Sequence, residues 1–278
     1  MKVAAIQMVS STRLADNLAR AAELIGEAAA GGAELAVLPE YFCLMGQRDT
    51  DKLAIQEPYG DGPVQRFLAQ AARAHGLWLV GGTLPLAVDD AAAGASAGRV
   101  YNSSLVFGPD GRCAARYDKM HLFRFDNGTE RYDEARVLRP GAQPALFELP
   151  SRDGYRWRVG LSVCYDLRFA ELYRHYAAQG ADLLLVPSAF TYATGQAHWE
   201  LLLRTRAIEN LACVVASAQG GVHENGRRTW GHSLVVDAWG GVLGCRDGDG
   251  DGVVLADLDA GQLARCRAQL PALEHRRL

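Results

Sequence analysis

The sequence predicts an α/β fold in which two similar halves form one four-layer αββα sandwich. Strand-like apolar runs alternate with runs that carry apolar residues at helical spacing. These runs are 3–8, 14–30, 35–38, 64–75 and 77–80. Such alternation is typical of α/β domains, and the second half of the chain repeats it. That repeat implies two related sheets packed face to face, with the helices outside.

Three strand-like strings recur in the same order in the two halves. AELAVLP at 33–39 matches ADLLLVP at 181–187, and LWLV at 77–80 matches LACV at 211–214. SLV at 104–106 precedes Gly111 by the same interval at which SLV at 233–235 precedes Gly240. The alternative is coincidence among short apolar strings. A true repeat predicts one domain that spans residues 1–278.

Composition and charge limit the classes of partner. The chain has 278 residues, 49% of them hydrophobic and 22% charged, with a formal net charge of -3. This balance argues against nucleic acid or a membrane surface as a partner. The start of the chain lacks a signal-peptide pattern, and no apolar run reaches the roughly 18–20 residues of a bilayer helix. We expect a cytoplasmic protein with a small-molecule substrate, and a surface loop at the low-complexity stretch 89–98.

Six dispersed cysteines include one with an unusual setting. The lack of Cys-x-x-Cys pairs disfavours both a zinc site and a disulfide framework. Five are expected to be small buried fillers: Cys43, Cys113, Cys213, Cys245 and Cys266. Cys164 instead ends the strand-like run 159–164, before a polar turn and a helical run. At such an elbow a side chain can face a ligand, while neighbouring backbone N–H groups point toward a developing oxyanion.

Glu40 and Lys119 are two further candidates for catalysis. Glu40 directly follows a buried strand and Pro39, so desolvation is expected to raise the pKa of its carboxyl group toward that of a general base. The alternative is a surface glutamate that opens a loop. Lys119 is framed by large side chains, and beside Cys164 its charge would lower the pKa of the thiol. The alternative is a salt-bridged surface lysine.

Three motifs together resemble a known family. The strings LPEYF (38–42), YDKMHLF (117–123) and SVCYDLRF (162–169), in this order, are similar to the signatures of the nitrilase, or carbon–nitrogen hydrolase, superfamily. The resemblance implies a triad of Glu40 as general base, Lys119 as stabiliser of the tetrahedral intermediate and Cys164 as nucleophile. The family often has a second glutamate ahead of a Pro-Gly pair, and Glu134 fits that place.

The resemblance also implies the fold, the reaction and the assembly. Family members have the αββα sandwich, and they usually form homodimers or larger homo-oligomers. The reaction would pass through a cysteine thioester, with the oxyanion held by Lys119 and by the backbone N–H of Tyr165. No metal or organic cofactor is required, in keeping with a sequence that lacks metal-ligand spacing and a phosphate-binding glycine loop.

The residues around the nucleophile favour one branch of the superfamily. Nitrilases proper usually have Cys-Trp-Glu, whereas this chain has Cys164-Tyr165-Asp166, which is similar to the Nit subgroup of amidases. Within that subgroup, the segments 223–233 and 270–277 resemble deaminated glutathione amidases more than ω-amidases. The alternatives are an ω-amidase acting on 2-oxoglutaramate, a true nitrilase or N-carbamoyl amidohydrolase, and a non-catalytic binding module.

Two substrate contacts are expected in addition to Tyr165. Arg168 would bind the carboxylate of a 2-oxo acid through a bidentate contact. The alternative is an ion pair with Asp166 or Glu171. Phe190 would form an apolar wall of the site, the alternative being ordinary core packing.

Overall fold

Two β-sheets form the centre of the protein. The computed structural model describes residues 1–88, 98–129 and 131–277. Within these residues seven strands form the first sheet: β1 (Lys2–Gln7), β2 (Leu35–Val37), β3 (Trp78–Val80), β4 (Leu84–Ala87), β5 (Val100–Phe107), β6 (Cys113–Asp118) and β17 (Gly252–Asp257). Six form the second: β9 (Leu146–Pro150), β10 (Arg156–Leu161), β11 (Leu183–Leu185), β12 (Cys213–Ala216), β15 (Leu234–Val236) and β16 (Val242–Cys245). Two hairpins lie outside the sheets: β7 (Arg124–Asp126) with β8 (Arg131–Asp133), and β13 (Gly220–Val222) with β14 (Arg228–Trp230). The predicted loop at 89–98 falls on residues 89–97, which lie outside the described residues.

Helices cover the outer face of each sheet. The first sheet carries α1 (Leu14–Ala30) and α2 (Pro63–His75), and the second carries α3 (Ala170–Ala178) and α4 (Tyr192–Asn210). A fifth helix, α5 (Ala260–Gln269), follows β17. The layers are therefore helices, sheet, sheet and helices, as the sequence predicts. In the described parts of the chain, no helix has the length and apolar character needed to cross a membrane.

The two sheets have equivalent strand orders. Three neighbouring strands are parallel in each, β1, β2 and β3 in the first and β10, β11 and β12 in the second. Antiparallel strands flank each set, β17 and β5 in the first sheet and β9 and β15 in the second. The three sequence matches fall on equivalent pairs, namely β2 with β11, β3 with β12 and β5 with β15. The prediction of two similar halves in an αββα sandwich is confirmed.

Alternating side chains of the central strands fill two separate layers of the core. In β1, Val3 and Ala5 are fully buried against the second sheet, whereas Ala4 and Ile6 are fully buried beneath α1 and α2. Neighbouring residues of a strand face opposite sides of the sheet. A strand covered on both sides must therefore be apolar throughout, which explains the continuous apolar runs in the sequence.

A hydrogen-bonded contact joins the two sheets at the carboxyl ends of their central strands. Ser217 directly follows β12 and is fully buried. Its Oγ donates to the carbonyl of Val37 at 2.8 Å and accepts the N–H of Ile6 at 3.2 Å. The carboxyl ends of parallel strands are where open α/β sheets bind ligands. The candidate site lies at this edge.

Candidate active site

One cavity brings the predicted residues of both halves together. Its volume is about 290 Å³. Six of the seven predicted residues line it: Glu40, Glu134, Cys164, Tyr165, Arg168 and Phe190. The seventh, Lys119, is fully buried and bridges two of the lining carboxylates. The structure therefore places motifs from three distant parts of the chain at one site.

Cys164 lies at a tight elbow shortly after β10. Its backbone φ is 51°, in the left-handed region that residues other than glycine rarely adopt. Its N–H donates to the carbonyl of Pro187 at 2.9 Å, and the 3-10 turn Cys164–Arg168 begins at this residue. The predicted elbow is therefore present, and it holds the thiol, in a side chain that is only 8% exposed, at the cavity wall.

The carboxylate of Asp166 holds this elbow in place. It is fully buried and accepts the backbone N–H of Val163 at 2.9 Å. It also accepts the hydroxyl of Tyr117 at 2.7 Å and the backbone N–H of His121 at 3.0 Å. Since Tyr117 and His121 flank Lys119 in sequence, Asp166 ties the elbow to the segment that carries the lysine.

Three donors fix the carboxylate of Glu40, which follows β2 and Pro39. Oε1 accepts from Nζ of Lys119 and from Nδ2 of Asn102, both at 2.9 Å. Oε2 accepts the N–H of Ala189 at 2.9 Å. Because Ala189 comes from the second half of the chain, this bond joins the halves. Glu40 is 1% exposed, so it is not the surface glutamate of the alternative interpretation.

Lys119 lies between two carboxylates and is not a surface lysine. Its Nζ is 2.9 Å from Oε1 of Glu40 and 2.8 Å from Oε2 of Glu134. Burial of a charge is costly unless the charge is paired, and here two acids surround one base. A lysine ammonium has three N–H donors. Nζ lies within hydrogen-bond distance of Oε1 of Glu40 and of both oxygens of Glu134, so the two carboxylates engage its donors.

Glu134 is held by its own set of donors. Its Oε1 accepts the hydroxyl of Tyr41 at 2.9 Å, and its Oε2 accepts the backbone N–H of Phe123 at 2.7 Å. The Pro-Gly pair that singled out Glu134 in the sequence has a structural reason. A Cβ at Gly141 would lie 2.1 Å from the carbonyl oxygen of Asp118, so the chain passes the end of β6 only as glycine.

Burial and charge have opposite effects on the acids and base of the cluster. Burial lowers the pKa of Lys119, but the carboxylates of Glu134 and Glu40 outweigh it, and the pKa lies above its ordinary value. Burial raises the pKa of Glu134, but the charge of Lys119 outweighs it, and this pKa lies below its ordinary value. Lys119 and Glu134 are therefore both ionised at neutral pH.

The pKa of the Cys164 thiol is raised overall, although Lys119 by itself lowers it as expected. Burial is the largest cause, and the negative charge of Glu40 adds to it. Lys119 and a hydrogen bond from the backbone of Ala189 favour the thiolate, but they do not outweigh burial. The thiol is therefore protonated at neutral pH, so the sulfur could act as a nucleophile only if a base took its proton.

Tyr165, Arg168 and Phe190 form one wall of the cavity. The guanidinium carbon of Arg168 is 5.5 Å from the ring centroid of Phe190 and 5.9 Å from that of Tyr165. These distances are typical of cation–π contacts, which orient the guanidinium without neutralising it. Phe190 is 5% exposed, and its ring centroid lies 5.0 Å from that of Trp199, so it belongs to both the wall and the core.

Arg168 has no acidic partner among the described residues. The alternative ion pairs with Asp166 and Glu171 are not formed, since Asp166 is occupied by other donors. The nearest polar group is Nδ1 of His198, 3.3 Å from both terminal nitrogens of the guanidinium. A positive charge at the cavity wall therefore remains available to an anion.

The chain is similar to known proteins over nearly its whole length. The family model described as carbon–nitrogen hydrolase matches residues 2–268. A deaminated glutathione amidase of Synechocystis sp. is 38% identical over 275 residues, which cover 98% of this chain and 97% of that protein. An omega-amidase of Homo sapiens is 38% identical over 278 residues, which cover 99% of this chain and 95% of that protein. The crystal structure of Saccharomyces cerevisiae Nit3, titled a member of branch 10 of the nitrilase superfamily, matches with a TM-score of 0.86 at 30% identity, over 100% of this chain and 97% of that one.

The chain belongs to the carbon–nitrogen hydrolase family. The match spans nearly all its residues and includes both sheets and every residue that lines the cavity. As a carbon–nitrogen hydrolase with amidases among its relatives, the protein is a hydrolase of amide carbon–nitrogen bonds. The family resemblance stated from the three motifs is confirmed.

Two of the five cysteines expected to be buried fillers are exposed. Cys43, Cys213 and Cys266 are buried, as predicted, but Cys113 and Cys245 are exposed. Cys113 begins β6 and Cys245 ends β16, and both sit where a strand meets a surface turn. Hydrophobic character alone does not decide burial at a strand end. None of these cysteines lines the cavity of this carbon–nitrogen hydrolase.

The sequence interpretation missed several residues of the site. Asn102 and Ala189 donate to Glu40, Tyr41 donates to Glu134, and Arg227 lines the cavity. Asn102 lies in β5, outside the three motifs, and Ala189 contributes a backbone N–H that no side chain reveals. Tyr41 had a signal, because it lies inside the LPEYF motif next to the predicted base.

Replacing Glu40 by Gln should separate the effect of its charge on the pKa of Cys164 from its predicted role as a general base. Loss of the negative charge beside Cys164 should lower the pKa of the thiol, so alkylation by iodoacetamide should begin at lower pH than in the wild type. Amide hydrolysis should fall by about 100-fold or more. Alkylation of the Cys164 peptide is followed by mass spectrometry in a background where exposed Cys113 and Cys245 are changed to Ser. A pH profile that stays in place or moves upward would contradict this electrostatic account.

Proposed function

We propose that this carbon–nitrogen hydrolase cleaves amides of 2-oxo acids and that deaminated glutathione is its preferred substrate. The observation that carries the proposal is the cavity wall that places Arg168, without an acidic partner among the described residues, in the same cavity as Cys164. A guanidinium binds a carboxylate through two parallel hydrogen bonds. Relatives named deaminated glutathione amidase and omega-amidase support this substrate class.

The proposed reaction begins with transfer of the Cys164 proton to Glu40. The sulfur bonds to the amide carbon, and the carbonyl oxygen takes up the negative charge. The positive charge of Lys119 and the backbone N–H of Tyr165 stabilise this oxyanion. Glu40 then gives its proton to the amine nitrogen as the carbon–nitrogen bond breaks, which releases the amine and leaves a thioester on Cys164.

Water completes the proposed cycle. Glu40 takes a proton from water while the water oxygen bonds to the thioester carbon. The carbon–sulfur bond breaks, Cys164 recovers its proton from Glu40, and the carboxylic acid leaves. Glu134 acts as a positioning residue, since it binds Lys119 and keeps the ammonium charged beside the reacting carbonyl. The high pKa of the thiol requires the base that this scheme provides.

A second candidate is ω-amidase activity on 2-oxoglutaramate. This substrate has the same 2-oxoglutaryl group as deaminated glutathione, so Arg168 would serve both. The chain is 38% identical to both the deaminated glutathione amidase and the human omega-amidase described above. Overall identity therefore does not separate the two activities.

We also propose that residues 1–278 form one domain and that the protein works in the cytoplasm. Pairing of β17 with β1 and the bond from Ala189 to Glu40 support one domain, because both join distant parts of the chain. Six free cysteines suit a reducing compartment.

Self-association into a homodimer or a larger homo-oligomer is a further part of the proposal. Leu201 and Ile208 lie on the same face of α4 and are 68% and 47% exposed. Trp239, which adjoins this face through Gly240, is 53% exposed. Several large apolar side chains together on a surface are typical of an interface.

An assay panel tests the proposed activity. Purified protein should hydrolyse deaminated glutathione and 2-oxoglutaramate, with far lower rates on simple nitriles and N-carbamoyl amino acids. The panel is read by release of 2-oxoglutarate or ammonia. Cys164→Ala should lower every rate by at least about 1,000-fold, because the covalent intermediate requires the sulfur. If the panel yields no turnover, or if Cys164→Ala keeps full activity, the proposal is wrong.

Arg168→Ala should separate acidic from uncharged amides. Loss of a charge-assisted contact to the substrate carboxylate should raise KM for 2-oxoglutaramate by about 10- to 100-fold. KM for an uncharged amide of the same length should change far less. Arg66→Ala, an exposed arginine on α2, is the matched control. Equal effects of Arg168→Ala on both amides would remove its role in carboxylate binding.

Leu201→Glu should reduce self-association. A charge introduced into the apolar face of α4 should shift the molar mass in light scattering toward that of a monomer, 30.0 kDa. Val222→Glu, which changes an equally exposed apolar residue on β13, serves as the control and should keep the wild-type mass. A wild-type protein that is monomeric, or a Leu201→Glu variant with unchanged mass, would contradict this interface.

A further inference from the structure

A second arginine, Arg227, lies where the catalytic cavity meets an open groove. It lines the cavity together with Cys164, and it also lines a neighbouring groove of about 870 Å³. Arg227 belongs to the turn that joins β13 to β14. Arg168, in contrast, lines only the cavity. The two guanidinium groups therefore occupy different positions relative to the opening between the cavity and the groove.

The surroundings of Arg227 leave hydrogen-bond donors unused. One terminal nitrogen donates to the carbonyl of Ala189 at 3.2 Å, and the other makes a weak contact with Sδ of Met45 at 4.0 Å. The guanidinium carbon lies 5.1 Å from the ring centroid of Tyr132. Its Nε is buried and has no hydrogen-bond partner. A guanidinium carries five N–H donors in a fixed plane. In the described parts of the chain, the ion pairs do not include Arg227.

The remaining cations of the groove are paired with acids. These pairs are Arg48 with Asp51, Lys52 with Asp49, and Arg131 with Asp126. Among the described groove residues, Arg227 is therefore the cation without an acidic partner. An anion in the groove next to the cavity can therefore pair with this guanidinium.

We propose that Arg227 and the groove form a subsite for the leaving group of an amide whose amine part carries a carboxylate. This inference rests on the proposed function, because it takes Cys164 as the nucleophile and Arg168 as the contact for the acyl group. An amide has an acyl part and an amine part on opposite sides of the bond that breaks. With the acyl carboxylate at Arg168, the amine part points out of the cavity, and the groove at Arg227 receives it.

The subsite selects among amides with the same acyl group. A primary amide releases ammonia and places nothing in the groove. An amide of a short peptide extends into the groove, where its terminal carboxylate meets the unused donors of Arg227. The class of substrate that fills both positions is a 2-oxo acid joined through an amide to a small amine with its own carboxylate.

A purely structural role for Arg227 is the competing interpretation. Its bond to the carbonyl of Ala189 supports the segment whose N–H holds Glu40. If this were its only role, loss of Arg227 would disturb the base and slow every substrate equally. The two interpretations therefore predict different changes in kcat/KM when an Arg227 variant acts on substrates that share an acyl group.

Three substrates with the 2-oxoglutaryl group test the inference. They are 2-oxoglutaramate, deaminated glutathione, and deaminated glutathione with its terminal carboxylate changed to a carboxamide. The wild type should favour the carboxylate form over the carboxamide form by about tenfold or more in kcat/KM. Arg227→Met should remove that preference and should lower kcat/KM for deaminated glutathione about tenfold more than for 2-oxoglutaramate. Arg228→Met, a change at the exposed neighbour that pairs with Asp249, should keep the wild-type preference.

Two outcomes of these assays would overturn the subsite. One is a wild type that hydrolyses the carboxylate and carboxamide forms equally well. The other is an Arg227→Met variant that loses the same factor on all three substrates, which would indicate the structural role.

Binding to a Cys164→Ala protein separates this inference from the proposed function. Calorimetry should give about tenfold tighter binding of deaminated glutathione than of its carboxamide, and addition of Arg227→Met should abolish the difference. Absence of turnover by the wild type together with this binding difference would refute the proposed function and retain the subsite. Equal binding of the two compounds would refute the subsite even if the wild type is active.

Discussion

The site depends on one buried ammonium group held between two carboxylates. Lys119 comes from the end of β6, Glu40 from the end of β2, and Glu134 from the turn after β8. A buried charge that loses its partner is strongly destabilising, so each of these segments constrains the position of the other two. The second half of the chain enters the same network through the N–H of Ala189. The charged cluster therefore contacts both halves of the sandwich.

The cluster keeps the thiol neutral at rest. Burial and the charge of Glu40 raise the pKa of Cys164, whereas Lys119 opposes them. A thiol with a high pKa is seldom ionised, but its thiolate is a stronger nucleophile than that of an acidic thiol. If the proton moves to Glu40 during attack, the sulfur would react as a strong nucleophile although the resting enzyme contains no thiolate. Such a thiol is also protected from oxidation, which acts mainly on exposed thiolates.

The sequence predicted the parts of this protein that depend on local pattern. Apolar runs located β2 and β11, and the motif strings located Glu40, Lys119 and Cys164. Ala189 was not predicted, because it contributes a backbone N–H that binds a carboxylate 149 residues away in the chain. That contact depends on how the two sheets pack against each other. The net upward shift of the Cys164 pKa was not predicted for a related reason. It depends on the balance between burial and three nearby charges. Sequence pattern reveals which residues are close in the chain, whereas these effects depend on distances in space.

The two halves of the internal repeat contribute different groups to the site. In each half a central strand ends in a proline, at Pro39 after β2 and at Pro187 after β11. The first proline leads to Glu40, and the second leads to Ala189, whose N–H binds the carboxylate of Glu40. The segments that follow the two prolines thus supply an acceptor and a donor that face each other. Lys119 and Asn102 of the first half hold Oε1 of Glu40, whereas Ala189 of the second half holds Oε2, so the position of this carboxylate depends on the contact between the halves.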